Sequence, residues 1–201
     1  MTVKNLSPGG FASNCYLLLH QGAALLVDPT ADTATVKSAL AQAGASLHAI
    51  LLTHGHFDHI LTADDLRKSF DVPLYLHRAD AELLGDASKN ASALFGAPLL
   101  TAPPDKQLEG GESLQLGPFS IGVLHTPGHT AGSVVYTVGD LAFTGDTLFA
   151  DCCGRTDLYG GSTPLLRQSL KVLSTLLPTI RSLPGHGGSA LLGEALDSLF
   201  L

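Results

Sequence analysis

A short apolar run at residues 48–53 (HAILLT) leads directly into the polar sequence HGHFDH, and this junction limits the possible folds more than any other part of the chain. A run of this length and composition is typical of a strand buried on both faces, inside a sheet that other layers cover. The polar cluster must then lie at the end of that strand. The sequence therefore predicts a layered protein with several histidines at the edge of a buried sheet.

Apolar spacing and turn residues divide the rest of the chain into strands and helices. Strands are predicted at 15–20, 23–27, 73–77, 119–125, 133–138, 141–144 and 180–183, and one more just before the turn at Gly117–Pro118. Helices are predicted at 33–43, 62–70, 78–86, 163–177 and 190–200, and the segment 88–106 is predicted to be irregular. This order indicates an α+β fold in which two mixed β-sheets pack together with helices on both outer faces, a four-layer αββα sandwich. We expect residues 1–201 to form a single domain.

Charge and cysteine content argue against several classes of protein. The formal charge is −7 with 11 Lys and Arg residues, whereas nucleic-acid-binding proteins usually present a basic face. The N-terminal sequence shows no basic leader followed by a long apolar stretch, so neither export nor a membrane anchor is predicted. Three cysteines, two of them adjacent, do not make a disulfide framework. We therefore expect a cytoplasmic protein that acts on neither nucleic acid nor membranes.

The histidine cluster has the composition of a metal site. His54, His56, Asp58 and His59 fall within six residues, and neutral imidazole and carboxylate are the ligand types that bind Zn or Fe near neutral pH. His54 and His56 are two residues apart in an extended segment, so both side chains can point toward one ion. Asp58 and His59 follow a chain reversal and can face a second ion. The alternative, a polar turn with incidental histidines, is disfavoured because histidine is a sparse residue.

Three later turns each present one more possible ligand directly after a glycine. His129 lies in TPGHT, Asp146 in TGDT and His186 in PGHG, each at the end of a predicted strand. Glycine permits the tight turn that aims a side chain from a strand end into a cleft. Each residue alone has an ordinary structural explanation, but together the three supply the ligands that the first cluster lacks.

In this order, the motifs THGHFDH, TPGHT, GDT and PGHG resemble the metallo-β-lactamase superfamily, in particular its short glyoxalase II-like hydrolases. The resemblance implies two divalent metal ions per chain, zinc being expected and iron or manganese being alternatives. It implies that one ion is held by His54, His56 and His129. The second ion would be held by Asp58, His59 and His186, with Asp146 bridging the two.

The same resemblance implies hydrolysis of a small-molecule thioester, with hydroxyacylglutathione (S-lactoylglutathione) as the expected substrate. A metal-bound hydroxide, oriented by Asp58, would attack the carbonyl, and a thiolate leaving group needs little protonation. One alternative is a persulfide dioxygenase with a single iron on His54, His129 and Asp146, and another is a lactonase. A β-lactamase is disfavoured because a bridging aspartate is unusual for that activity. Longer glyoxalase II enzymes carry a helical region that helps to hold glutathione, whereas 15 residues follow His186 here.

Three further residues have two interpretations each. Arg155 matches a basic position of the family's substrate loop and is expected either to pair with a substrate carboxylate or to pair with Asp157. Tyr159 is expected to line the same cleft or to pack structurally. Asp28 is expected to contact a ligand histidine or to cap a turn. The sequence indicates no oligomeric state.

Overall fold

The computed structural model describes residues 1–200, which form two six-stranded sheets and four α-helices. The strands of the first sheet lie side by side in chain order: β1 (Thr2–Asn5), β2 (Tyr16–His20), β3 (Ala23–Val27), β4 (Ser46–Leu51), β5 (Leu74–His77) and β6 (Lys106–Leu108). The second sheet contains β7 (Ser113–Leu116), β8 (Phe119–His125), β9 (Val134–Val138), β10 (Leu141–Gly145), β11 (Arg181–Pro184) and β12 (Ala190–Leu191), again in chain order. The helices are α1 (Thr33–Ala43), α2 (Ala63–Phe70), α3 (Thr163–Leu173) and α4 (Leu192–Asp197).

Strand β3 shows why the fold has four layers. Its side chains alternate between the two faces of the sheet because the period of a strand is two residues. Leu25 packs against the inner face of the second sheet with Phe119 and Phe143. Leu26 packs outward with side chains of helices α1 and α2. Helices α3 and α4 cover the outer face of the second sheet in the same way. The predicted αββα sandwich of two mixed sheets is confirmed.

Most predicted elements are present, and the differences have local causes. Residues 78–86 form a 3₁₀ segment, Arg78–Gly85, rather than an α-helix. Helix α3 ends at Leu173 instead of 177, because the hydroxyls of Ser174 and Thr175 bond to carbonyls of the last turn and Pro178 prevents continuation. The predicted terminal helix at 190–200 is divided into β12, α4 and a 3₁₀ turn. Strand β1 and the short strand β6 were not predicted.

The strand directions bring several loops to one edge of the sandwich. β3 runs parallel to β4, and β10 runs parallel to β11. β8 and β10 are both antiparallel to β9, so they run in the same direction as each other. The loops that leave the carboxyl ends of these strands carry all the predicted ligands. Within residues 1–200, no helix is long and apolar enough to cross a membrane.

Candidate metal centre

The loop after β4 places three histidine rings against one another. The ring centroids of His54 and His56 lie 4.8 Å apart. A 3₁₀ turn at Phe57–His59 then reverses the chain, and the ring of His59 comes to 4.1 Å from that of His54. All three rings are buried. The reversal predicted from the sequence therefore lies where the chain passes from the first pair of histidines to Asp58 and His59.

The later loops complete the cluster. The ring of His129, after β8, lies 4.7 Å from that of His54 and 4.6 Å from that of His56. The ring of His186, after β11, lies 5.4 Å from that of His59. Residues more than a hundred positions apart in the chain thus meet at one edge of the sandwich.

Three sets of side chains each hold their possible ligand atoms within 4.8 Å of one another. These sets are His54, His56 and His129; Asp58, His59 and His186; and His54, His59 and Asp146. Asp146 lies between the first two sets, with Oδ1 3.3 Å from His59 Nε2 and Oδ2 3.6 Å from His129 Nε2. The structure therefore brings together all seven predicted ligands, and Asp146 is the residue that faces both groups.

Burial and charge determine the protonation of this cluster. Burial lowers the pKa of His56 to about 3, reinforced by the neighbouring His129, so the ring is neutral at pH 7. Burial lowers the pKa of His54 as well. For His59, burial lowers the pKa, but the carboxylates of Asp146, Asp28 and Asp58 outweigh it and the net pKa is raised. The chain thus combines neutral imidazoles with carboxylates that attract positive charge.

Within the described chain, four buried polar atoms of the cluster lack hydrogen-bond partners, whereas Nδ1 of His56 lies 2.8 Å from Nε2 of His129. Among residues 1–200, the buried atoms His54 Nε2, His56 Nε2, His59 Nε2 and Asp146 Oδ1 make no hydrogen bond. His59 donates its Nδ1 proton to Asp28, which directs Nε2 of the same ring toward Asp146 Oδ1 at 3.3 Å. A cation between these two atoms, either a proton or a metal ion, agrees with the raised pKa of His59. Since leaving a buried polar atom unpaired costs about 1–3 kcal/mol each, this donor set fits divalent metal ions.

Asp28 holds one of the predicted ligand histidines in place. Its Oδ2 atom accepts the Nδ1 proton of His59 at 2.9 Å, and its two oxygens also accept hydrogen bonds from the backbone and hydroxyl of Thr53. Asp28 is buried and has a left-handed backbone with φ of 52°. A residue without glycine's freedom keeps this conformation only where surrounding contacts compensate for it.

Arg155 contributes to the site through its backbone. Its carbonyl oxygen accepts the Nδ1 proton of His129 at 2.8 Å, which leaves Nε2 of that ring directed into the cluster. The guanidinium pairs with both carboxylate oxygens of Asp157, at 2.6 and 2.7 Å. Its exposed side chain still lines the cleft. The carbonyl contact was not expected from the sequence.

Tyr159 is not among the side chains that line the cleft within residues 1–200. Its hydroxyl donates to Glu82 Oε1 at 2.9 Å, and the ammonium of Lys89 lies 4.9 Å from the centre of its ring. Tyr159 therefore lies on the surface beside the cleft with its hydroxyl directed toward Glu82, and a contact of this side chain with the substrate stays a prediction.

Asp80 joins two of the ligand loops and was missed by sequence reasoning. Its fully buried carboxylate accepts the backbone N–H of Gly55 at 2.9 Å and that of Gly132 at 2.6 Å. It also accepts the hydroxyl proton of Thr130 at 2.7 Å. Gly55 lies between His54 and His56, and Thr130 follows His129. Because the main partners are backbone groups, no residue-type pattern could have indicated the contact.

Gly185 shows how little space remains around the cluster. A Cβ atom at this position would lie 2.2 Å from Asp146 Oδ1 and 2.6 Å from His59 Cε1. The glycine of the PGHG turn is therefore required by close approach to the ligands.

Above the cluster lies an open cleft of about 260 Å³. Its floor contains ligand side chains of both groups, and its walls contain Phe57, Leu94, Phe95, Arg155 and Leu158. A small organic molecule can therefore reach the ligands from solvent.

The chain is similar to proteins of one family. The profile described as "Metallo-beta-lactamase superfamily" matches residues 8–186. The "Probable metallo-hydrolase YqgX" of Bacillus subtilis (strain 168) is 39% identical over 191 residues, which cover 93% of this chain and 90% of that protein. The BLEG-1 B3 metallo-beta-lactamase structure is 38% identical with a TM-score of 0.91, covering 98% of this chain and 97% of that one. TTHA1623 in a di-iron-bound form is 34% identical with a TM-score of 0.86, covering 99% of this chain and all (100%) of that one.

Proposed function

The chain belongs to the metallo-β-lactamase superfamily, and from this premise we propose that it is a metal-dependent hydrolase of small thioesters. Membership and the similarity to a probable metallo-hydrolase indicate hydrolysis in general. The single observation that carries the proposal is the set of buried, partnerless ligand atoms beneath an open cleft. The thioester substrate, the glyoxalase II-like assignment and a cytoplasmic location remain predictions.

The ligand set fits two divalent ions. His54, His56 and His129 would hold one, Asp58, His59 and His186 the other, and Asp146 would contact both. When bound, the ions lower the pKa of water so that a hydroxide nucleophile is available at neutral pH, and they polarise the carbonyl under attack. Zinc is the metal predicted from the sequence, while the di-iron form of TTHA1623 supports iron as an alternative.

Asp58 is the side chain best placed to orient the attacking water. It lines the cleft, and its Oδ2 atom lies 3.1 Å from His186 Nε2. Burial raises its pKa, but His59 and the hydrogen bond from His186 outweigh burial, so the net pKa is lowered and the group remains an ionised acceptor. The departing thiol has a pKa of about 8–9 and leaves as a thiolate, so the reaction requires no dedicated acid.

The proposal is tested by loading the protein with Zn, Fe or Mn and measuring hydrolysis of S-lactoylglutathione and of an uncharged acetyl thioester. We expect turnover of a thioester that chelation abolishes and that Asp146→Asn reduces strongly. A fully metal-loaded protein that hydrolyses no thioester would refute the proposal.

A β-lactam is the second candidate substrate, because the BLEG-1 structure named as a B3 metallo-beta-lactamase is similar over almost the whole chain. Its hydrolysis also requires attack on a carbonyl next to the metal site. Measuring β-lactam and lactone hydrolysis on the same preparations separates these activities. Oxygen uptake with glutathione persulfide, together with the iron content per chain, tests the dioxygenase alternative.

A further inference from the structure

Five large apolar side chains lie in the walls of the cleft or directly beside them. Together we call them the apolar rim: Phe11, Phe57, Leu94, Phe95 and Leu158. The ring of Phe95 lies 4.9 Å from that of Phe57 and 6.1 Å from that of Phe11, measured between centroids. Phe57, Leu94, Phe95 and Leu158 also line the cleft above the metal ligands. The rim is therefore part of the entrance to the site.

Three of the five side chains of the apolar rim are largely exposed to solvent. Phe11 is 80% exposed, Leu94 71% and Phe95 58%. Apolar area that leaves water is stabilised by about 25 cal/mol per Å², so the folded chain gains little from these side chains as they stand. A contiguous apolar surface beside a polar site is typical of a ligand-binding groove.

The side chains in the walls of the cleft offer little positive charge to an anionic ligand. In the described part of the chain, Arg155 is the only Lys or Arg that lines the cleft. Its guanidinium is already paired with both oxygens of Asp157. Glutathione carries two carboxylates, and nothing on these walls offers them an unpaired cation.

We propose that the apolar rim binds the acyl chain of the substrate, so that the preferred substrates are thioesters of apolar acyl groups with an uncharged thiol. This inference rests on the proposed thioester hydrolysis and assigns its substrate class. Water adds to the carbonyl carbon, the carbon–sulfur bond breaks, and the products are a carboxylate, a thiol and one proton. Phe57 links the rim directly to the ligand loop, since it lies between His56 and Asp58. An acyl chain on the rim therefore begins beside the ligands.

The test measures kcat/KM for acetyl, butanoyl, hexanoyl and octanoyl thioesters of N-acetylcysteamine with metal-loaded protein. Each methylene removed from water contributes up to about 0.8 kcal/mol, or about fourfold in kcat/KM. Because the groove is open, we expect about tenfold between acetyl and hexanoyl. The double variant Leu94→Ala/Phe95→Ala should remove this dependence, so that its kcat/KM for the hexanoyl thioester falls to about that for the acetyl thioester. Leu177→Ala is the matched control, since Leu177 is 70% exposed and lies outside the rim.

A binding measurement keeps the inference separate from the activity. Non-hydrolysable S-alkyl thioethers of N-acetylcysteamine and of glutathione are titrated calorimetrically into the same proteins. We expect affinity to rise with alkyl length in the wild type and in Leu177→Ala, and not in the double variant. The uncharged ligand should bind at least as tightly as its glutathione counterpart.

The possible outcomes are distinguishable. Acetyl thioester hydrolysis without any dependence on chain length refutes the rim inference and leaves thioester hydrolysis intact. Length-dependent binding with no hydrolysis of any thioester supports the rim and refutes the hydrolase proposal. Tighter binding of the glutathione conjugate by about tenfold or more would overturn the assigned substrate class.

Discussion

Replacing Asp80 by asparagine preserves the shape of the side chain but removes one of its two acceptor oxygens. In the structure, Oδ2 accepts the N–H of Gly55 and Oδ1 accepts the N–H of Gly132. An amide has one carbonyl oxygen, so in either orientation one of these backbone donors faces an NH₂ group. Thr130 can adapt, because its hydroxyl can accept as well as donate. The substitution therefore leaves one buried N–H without an acceptor.

The expected loss follows from the burial of this group. Asp80 is 0% exposed, and a buried donor without a partner costs about 1–3 kcal/mol. For a chain of this size, that loss corresponds to a fall in Tm of about 2–12 °C. Loosening a group that supports a metal ligand typically reduces metal affinity by about 10–100-fold, and Gly55 lies between two predicted ligands. Both stability and metal binding should therefore decline.

The assays are denaturant unfolding with chelator present and metal titration by calorimetry. Asp32→Asn is the control: Asp32 accepts the backbone N–H of Thr35 at the start of α1, where asparagine caps equally well. We expect that variant to resemble the wild type in both assays. If Asp80→Asn also retained the wild-type unfolding free energy and metal affinity, the reasoning about the shared carboxylate would be wrong.

Three other predictions concern the turns, the metal and pH. Gly185→Ala should abolish binding of at least one metal ion, because the added methyl overlaps Asp146. Gly188→Ala should not, since within residues 1–200 no atom beyond its two chain neighbours lies within 4 Å of the added Cβ. Chelation should lower the Tm, because ions bound to the folded chain stabilise it. Burial lowers the pKa of His77, whose Nδ1 accepts the N–H of Ala79. The neutral His77 ring therefore stabilises the folded state above the unfolded pKa of about 6.5, and this contribution is lost as the pH falls.

The corresponding measurements are direct. Elemental analysis after dialysis gives the metal content of the two glycine variants, and equal loss in both would contradict the steric explanation. Thermal scans with and without chelator test the second prediction, and identical Tm values would count against a metal that binds the native state. The free energy of unfolding is measured for the wild type and for His77→Asn at pH 7 and at pH 5. The difference, wild type minus variant, should be smaller at pH 5 than at pH 7. A difference that does not change with pH would exclude this role for the histidine.

Parts of the fold were predictable because their causes are local. Helix α1 begins after Asp32, which accepts the N–H of Thr35, and ends at Gly44 with a left-handed φ of 58°. Both signals lie within a few residues of the helix they delimit, and the predicted bounds, 33–43, match the observed ones. The 3₁₀ segment Arg78–Gly85 differs, because its buried residues Asp80, Leu83 and Leu84 have the spacing of an α-helix, and the local pattern therefore does not distinguish the two kinds of helix.

The residue types in the ligand motifs, and the turns that present them, could be read from the chain alone because each motif is short and its chemistry belongs to its own side chains. Only the tertiary structure decided which groups surround the cluster. Asp80 meets Gly55 and Gly132 across 25 and 52 positions, and Phe11 meets Phe95 from a separate loop. Contacts made by backbone N–H groups or by apolar side chains in the cleft walls cannot be recognised from residue types. Any sequence supplies backbone N–H groups, and many sequences supply phenyl rings. Their position depends on how two sheets and their loops pack, which is a property of the whole chain.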